Sequence, residues 1–177
     1  MLTEIIVPEG VETLEAFAFY SCHALETLML PDSLTTLAQD AVSACGKLTK
    51  VVLPENLKEI GKYAFRGDTS LTEVQMPKTL EVIAPSAFEN CTALTSLELP
   101  DSLKVIDTKA FYGNNKLKLN GHLPASIQTI GPEAFYRVKF NYDNWNLPYL
   151  EIPKTMQELD LLAFKGISNL SALVIHN

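Results

Sequence analysis

The chain has 177 residues, 47% of them hydrophobic and 20% charged, the composition of one folded domain and not of a disordered segment. Fourteen basic residues against 21 acidic ones leave a net charge of −7, which repels phosphate backbones and anionic headgroups and argues against a nucleic acid partner. No apolar run approaches the ~20 residues that span a bilayer, and the opening "MLTEIIVPEG" lacks the charged start and long apolar core of a signal peptide.

Along the chain, prolines fall at Pro8, Pro31, Pro54, Pro77, Pro100, Pro124 and Pro153, with successive spacings of 23, 23, 23, 23, 24 and 29. Ten residues after each stands alanine: Ala18, Ala41, Ala64, Ala87, Ala110, Ala134 and Ala163. Phenylalanine follows in every unit but one, where Val42 replaces it. Three after proline come Val11, Leu34, Leu57, Leu80, Leu103, Ile127 and Met156; six after it come Leu14, Leu37, Ile60, Ile83, Ile106, Ile130 and Leu159. A period of 23 residues is that of a leucine-rich repeat, in which each unit adds one strand and one return segment to a stacked solenoid.

Each unit opens on a strand. In "LTSLELP" the apolar Leu97 and Leu99 are two apart, the period of a strand with one face buried, and the proline that ends it has no N–H for a ladder. The return segment carries helix-start signals, Pro85 and Pro132 eight after their repeat prolines and Asp107 as an N-cap, which predict a turn or two of helix around Ala110 and Phe111. Phenylalanine then forms a ladder between neighbouring units. The predicted fold is an α/β, right-handed leucine-rich-repeat solenoid over residues 1–177, one domain, with about eight parallel strands on the concave face and short helices or turns on the convex face.

The pattern that runs from Leu71 through Leu94, "LxxLxLPxxLxxIxxxAFxxCxxL", resembles the BspA-like class of bacterial leucine-rich repeats, and the resemblance covers Leu2 to Ile175. It implies a cell-surface or secreted solenoid that binds proteins as an adhesin toward host or matrix proteins, with glycans a less favoured ligand. It implies no reaction, cofactor or catalytic residue. The alternative is an intracellular scaffolding repeat protein.

Cys22, Cys45 and Cys91 share one column, fourteen after proline, with Asp68, Asn114, Val138 and Ile167, and read as small buried rungs. A disulfide between Cys22 and Cys45 or a metal site is the competing reading, disfavoured because CxxC spacing and clustered histidines are missing.

Function should lie on outward strand positions. Two before proline stand Ile6, Met29, Val52, Gln75, Glu98, His122 and Glu151, with Val174 in the last unit. The first three form a small apolar patch on adjacent strands, read either as a binding strip or as residues that simply suit a strand. Glu98, His122 and Glu151 set an imidazole between two carboxylates, without a nucleophile or oxyanion site, and so carry no catalysis or metal in this reading. Glu4, Thr27, Lys50, Glu73, Ser96, Asn120 and Tyr149 stand four before proline. Unit six is a residue long and places Gly121 where other strands have Leu28 or Leu97, predicting a bulge. The next unit gains about six residues in "YRVKFNYDNWNLPYLEIP", whose Tyr142, Trp145 and Tyr149 are candidate partner anchors beside Tyr136 and Phe140; the competing reading has Phe140 and Trp145 fold back over the gap at Gly121 as a small satellite core. Both ends of the chain fall inside strands without polar caps, which points to a segment of a longer array or to end-to-end self-association.

Overall fold

The computed structural model describes residues 2–120, 122–141, 149–168, 170 and 172–175. In chain order its first eight strands are β1 (Glu4–Ile6), β2 (Thr13–Leu14), β3 (Thr27–Met29), β4 (Thr36–Leu37), β5 (Lys50–Val52), β6 (Glu59–Ile60), β7 (Glu73–Gln75) and β8 (Val82–Ile83). The remaining ones are β9 (Ser96–Leu97), β10 (Val105–Ile106), β11 (Lys118–Asn120), β12 (Thr129–Ile130), β13 (Lys139–Asn141), β14 (Tyr149–Ile152), β15 (Glu158–Leu159) and β16 (Ala172–Ile175).

Every pairing is parallel between consecutive units, so the chain is a β-solenoid. Strands that precede the repeat prolines, joined by β13 and β16, form one wall in three stretches, β1-β3-β5-β7, β9-β11-β13 and β14-β16. A second wall, which the proline period does not announce, joins β2, β4, β6, β8, β10, β12 and β15 in one seven-stranded sheet. Its two-residue strands are the fifth and sixth positions after proline; the sixth-position side chain points inward and the fifth outward, as in Thr36–Leu37 and Glu59–Ile60. Between the walls each proline starts a tight turn, its carbonyl accepting from the amide three residues on, as in Leu57 N to Pro54 O at 3.0 Å. A second ladder was not anticipated from sequence: the hydroxyl two after proline donates to the unit before it, Ser33 Oγ to Val11 O at 2.9 Å, Ser102 Oγ to Leu80 O at 2.6 Å and Thr155 Oγ1 to Ile127 O at 2.8 Å.

The return segment contains no α-helix among the described residues; of the two expected forms it takes turns, and the hydrogen bonds give the reason. A helix spends each amide on its own carbonyls. Here alternate amides leave for the next unit: Phe65 N bonds Ala87 O at 2.9 Å and Gly67 N bonds Glu89 O at 2.8 Å, while Ala64 N and Arg66 N close local turns onto Gly61 O and Tyr63 O. That alternation needs left-handed backbone nine and thirteen residues after proline. Asp40, Tyr63, Ser86, Lys109 and Glu133 take it at the first position, and Ser21, Ala44, Asn90, Arg137, Gly67, Gly113 and Gly166 at the second. Each non-glycine residue there costs roughly 1–2 kcal/mol, which the inter-unit bond and the core beneath offset.

The core lies between the walls. Phe65, Phe88, Phe111, Phe135 and Phe164 stack at ring separations of 5.3–5.6 Å and interplanar angles of 1–8°, the expected ladder. Val42 breaks it, leaving Phe19 half-buried in the first unit. The alanine ten after proline is fully buried in units two to seven, before Val42 as before each phenylalanine, where the return segment runs close over the core.

Of the three cysteines Cys45 and Cys91 are buried as expected while Cys22, in the first unit, is half-buried, and all three thiols are free. The two buried thiols are donors as well as small hydrophobes. Cys45 Sγ donates to Phe19 O at 3.2 Å, Cys91 Sγ to Phe65 O at 3.0 Å, and Asn114 Nδ2 takes the same place on Phe88 O at 2.9 Å. Burial pushes the Cys45 thiol up to about 12. Between the two buried thiols lies Asp68, whose Oδ1 accepts from Cys45 N at 2.7 Å while Oδ2 finds no partner among the described residues. Burial pushes this carboxyl up to about 9, so it is a neutral acid at physiological pH.

Candidate binding face

Inward residues of the first wall are spent on the core, which leaves its outward residues as the candidate site. Strand register brings Glu4, Thr27, Lys50 and Glu73 into one row, and Ile6 beside Met29. Ile6, Met29 and Val52 are 65%, 51% and 51% exposed, a degree at which a purely structural apolar residue gains nothing from being apolar. Met29 and Val52 line an open hollow of about 550 Å³ with Thr27, Lys50, Asp32 and Glu55 at its rim. Next to it, Lys50 Nζ lies 2.8 Å from Glu73 Oε1, and that bond, aided by Gln75, holds the Glu73 carboxyl below its usual range. The face thus presents an apolar strip edged by polar and paired charged groups, the anatomy of a protein interface core with its rim.

Further along, the structure corrects the register read from sequence. Leu119, not Gly121, sits opposite Leu97 and fills the buried column, and Lys118, not Asn120, sits opposite Ser96. Relative to the unit before it, unit six therefore loses one residue between Leu117 and Leu119 and gains two between Leu119 and Pro124, a net of one, and the buried columns are kept. Lys118 pairs in turn with Lys139, so the outward row ends on two adjacent lysines that proline counting does not reveal. The strand of the seventh unit is split: β13 extends the β9-β11 sheet, and β14 starts a new pair with β16.

Glu98, His122 and Glu151 do come together. His122 forms an isolated parallel bridge with Glu151, and His122 and Glu98 line one hollow of about 300 Å³ with Asp101 over a floor of Leu97, Leu119 and Leu123. All three titratable side chains are exposed, and no group of three or more metal-ligating side chains occurs among the described residues. Tyr149 is half-buried on β14; Tyr142 and Trp145 lie outside the described residues.

Parallel strands, a 23-residue unit, a phenylalanine spine and an open strand face define a leucine-rich-repeat scaffold. The family model for the BspA type leucine-rich repeat region matches with six copies over residues 1–118 and 119–177, and the chain belongs to that family. Among solved structures it is similar to a leucine-rich repeat protein from Bacteroides ovatus, 23% identical with a TM-score of 0.67, over 98% of this chain and 55% of that one. It is also similar to the Treponema pallidum leucine-rich repeat protein, 25% identical with a TM-score of 0.65, over 77% and 78% of the two chains. A leucine-rich repeat protein from Eubacterium ventriosum is 22% identical with a TM-score of 0.71, over 95% of this chain and 44% of that one. The chain thus spans about half the length of the Bacteroides and Eubacterium proteins. No curated protein matches it.

Proposed function

We propose that this chain is a noncatalytic protein-binding module of a bacterial cell-surface or secreted protein, adhesin-like in use, whose docking strip is the outward row Ile6, Met29 and Val52. The exposure of three large apolar side chains on adjacent strands carries this reading. A sheet face selected only to be wet would hold threonine or charged residues there, as the neighbouring row does at Thr27, Lys50 and Glu73. Glu98, His122 and Glu151, of which Glu98 and His122 open onto a shared hollow, are further candidate contacts, as are Tyr142, Trp145 and Tyr149 of the longer unit. Family membership supports a protein ligand, since stacked repeats offer an extended surface and an open sheet does not exclude water as catalysis demands.

The test is an array of purified extracellular-matrix and host-surface proteins probed with wild-type protein and with Ile6→Thr/Met29→Thr/Val52→Thr. Threonine keeps the strand propensity and removes the apolar strip. Saturable binding by wild type, weakened at least ~10-fold in the variant, supports the proposal. Absence of binding by wild type, or equal binding by both, contradicts it.

A further inference from the structure

A second surface lies away from the strand face, on the turns that carry the left-handed residues. There Tyr112 and Tyr136 stack at 4.6 Å with an interplanar angle of 8°. Lys109 lies over the Tyr112 ring at 5.5 Å, and Arg137 and Lys165 lie over the Tyr136 ring at 5.1 and 6.0 Å. Glu133 stands between the two lysines, 3.7 Å from each. Three successive units are tied in register here by Gly113 N to Tyr136 O and Arg137 N to Lys165 O, both 3.2 Å. The arrangement is built around a glycine. A Cβ at Gly166 would come within 3.2 Å of Arg137 Cγ and 3.4 Å of a Tyr136 ring carbon, so the bare backbone makes room for both side chains.

Charge makes this edge unlike the rest of the molecule. Over the turn positions eight to thirteen after each proline the chain carries five basic and three acidic residues, whereas its total is −7. Both of its arginines are there, each laid on a tyrosine, because Arg66 repeats the arrangement over Tyr63 at 4.4 Å with Lys62 at 4.9 Å. A guanidinium held over a ring has surrendered much of its rotamer freedom and keeps N–H groups at its edge for an acceptor, which for Arg66 is in part Asp40 at 3.7 Å.

We propose that the turn edge of the last three units binds a linear polysaccharide bearing carboxylate or sulfate groups. Lys109, Arg137 and Lys165 come from three successive turns of a stack that repeats about every 4.8 Å, with Glu133 between the two lysines, so cations recur along the edge as charges recur along such a polymer. Arginine offers the bidentate geometry that carboxylate and sulfate oxygens accept. Tyrosine hydroxyls between the cations supply donors and acceptors for sugar hydroxyls. A nucleic acid fits less well, since such binding rests on roughly 6–10 phosphate contacts and this row has three cations on an acidic body.

The experiment titrates heparin, a sulfated linear polysaccharide, against the intact chain at about 50 and about 200 mM salt. It sets Lys109→Gln/Arg137→Gln/Lys165→Gln beside Lys58→Gln/Lys78→Gln/Lys104→Gln, which removes as many charges away from both the turn edge and the strand-face hollow. Polyglutamate, single-stranded DNA and neutral dextran serve as competitors, and a thermal melt checks folding of each variant. Heparin is expected to bind, more weakly at the higher salt, and to lose at least ~10-fold in affinity in the turn variant while the control variant loses little. Failure to bind heparin at the lower salt, equal losses in both variants, or tighter binding of polyglutamate or DNA would overturn the proposal. Every one of these variants leaves Ile6, Met29 and Val52 in place, so the result is independent of the strand-face reading.

Discussion

Units two to five and units six and seven obey the same inside rule and different outside rules. In the first group every repeat is 23 residues and the wall strands run in simple register. In the second a strand slips, splits and restarts, yet Leu117, Leu119, Phe135, Val138, Leu150 and Ile152 remain buried and the phenylalanine stack continues. In unit six the register shift is absorbed on either side of Leu119, one residue fewer before it and two more after it, and the inward columns are kept. The difference teaches that the repeat constrains the core column by column and leaves the outer row free to vary, which is where recognition can be written.

The strongest way to break this comparison is to cut the shared spine once in each group. Phe111→Ala and Phe135→Ala should each cost about 3–5 kcal/mol in chemical denaturation, because both rings are fully buried in the same stack. A much cheaper loss at Phe135 would mean that the two groups do not share one core.

A smaller effect is expected at the buried acid. The folded Asp68 carboxyl keeps its proton up to about pH 9, whereas the unfolded one releases it near 3.8. Across that window the folded state binds more protons, so stability falls as pH rises from about 4 toward 9. Asp68→Asn removes that slope and supplies the amide donor that Asn114 uses on the next carbonyl but one. We expect a gain of about 1–3 kcal/mol at pH 7 to 8, shrinking at pH 4. Urea midpoints at the two pH values measure it, and a loss of stability at pH 8 would contradict it.

Smaller still are the turn glycines. At Gly67, φ is 77° and a Cβ meets nothing within 4 Å, so Gly67→Ala should cost about 1 kcal/mol for the left-handed backbone alone. At Gly113 a Cβ would fall 2.3 Å from Asn90 Oδ1, so Gly113→Ala should cost more, and Asn90→Ala should bring it back to the Gly67 value. Thermal melts of the three variants separate strain from crowding.

Much of this architecture was legible in the sequence because core columns tolerate few residue types. The period, the strand before each proline, the Ala-Phe pair and the buried thiols all follow from spacing. The second wall was not legible, since two-residue strands leave no periodicity to read. Helix signals at Pro85, Pro132 and Asp107 misled because bonds to the next unit, unseen in any one repeat, outcompete the helical ones. At the candidate site the row Ile6, Met29 and Val52 was readable from the proline offset. The row beyond it was not: counting from Pro124 assigns Asn120 and Gly121 to positions that Lys118 and Leu119 occupy. The tyrosine-cation edge also escaped a column-by-column reading, because its members come from different columns of neighbouring units.

The smallest structural effect carries the central claim. Wild-type protein and the Ile6→Thr/Met29→Thr/Val52→Thr variant should melt within what about 0.5 kcal/mol of stability allows, as befits exposed positions. Measured on those same samples by surface plasmon resonance, affinity for a protein that wild type binds should fall at least ~10-fold. Unchanged affinity, or a loss of affinity that merely follows a loss of folding, would contradict the separation of an invariant inside from a recognising outside.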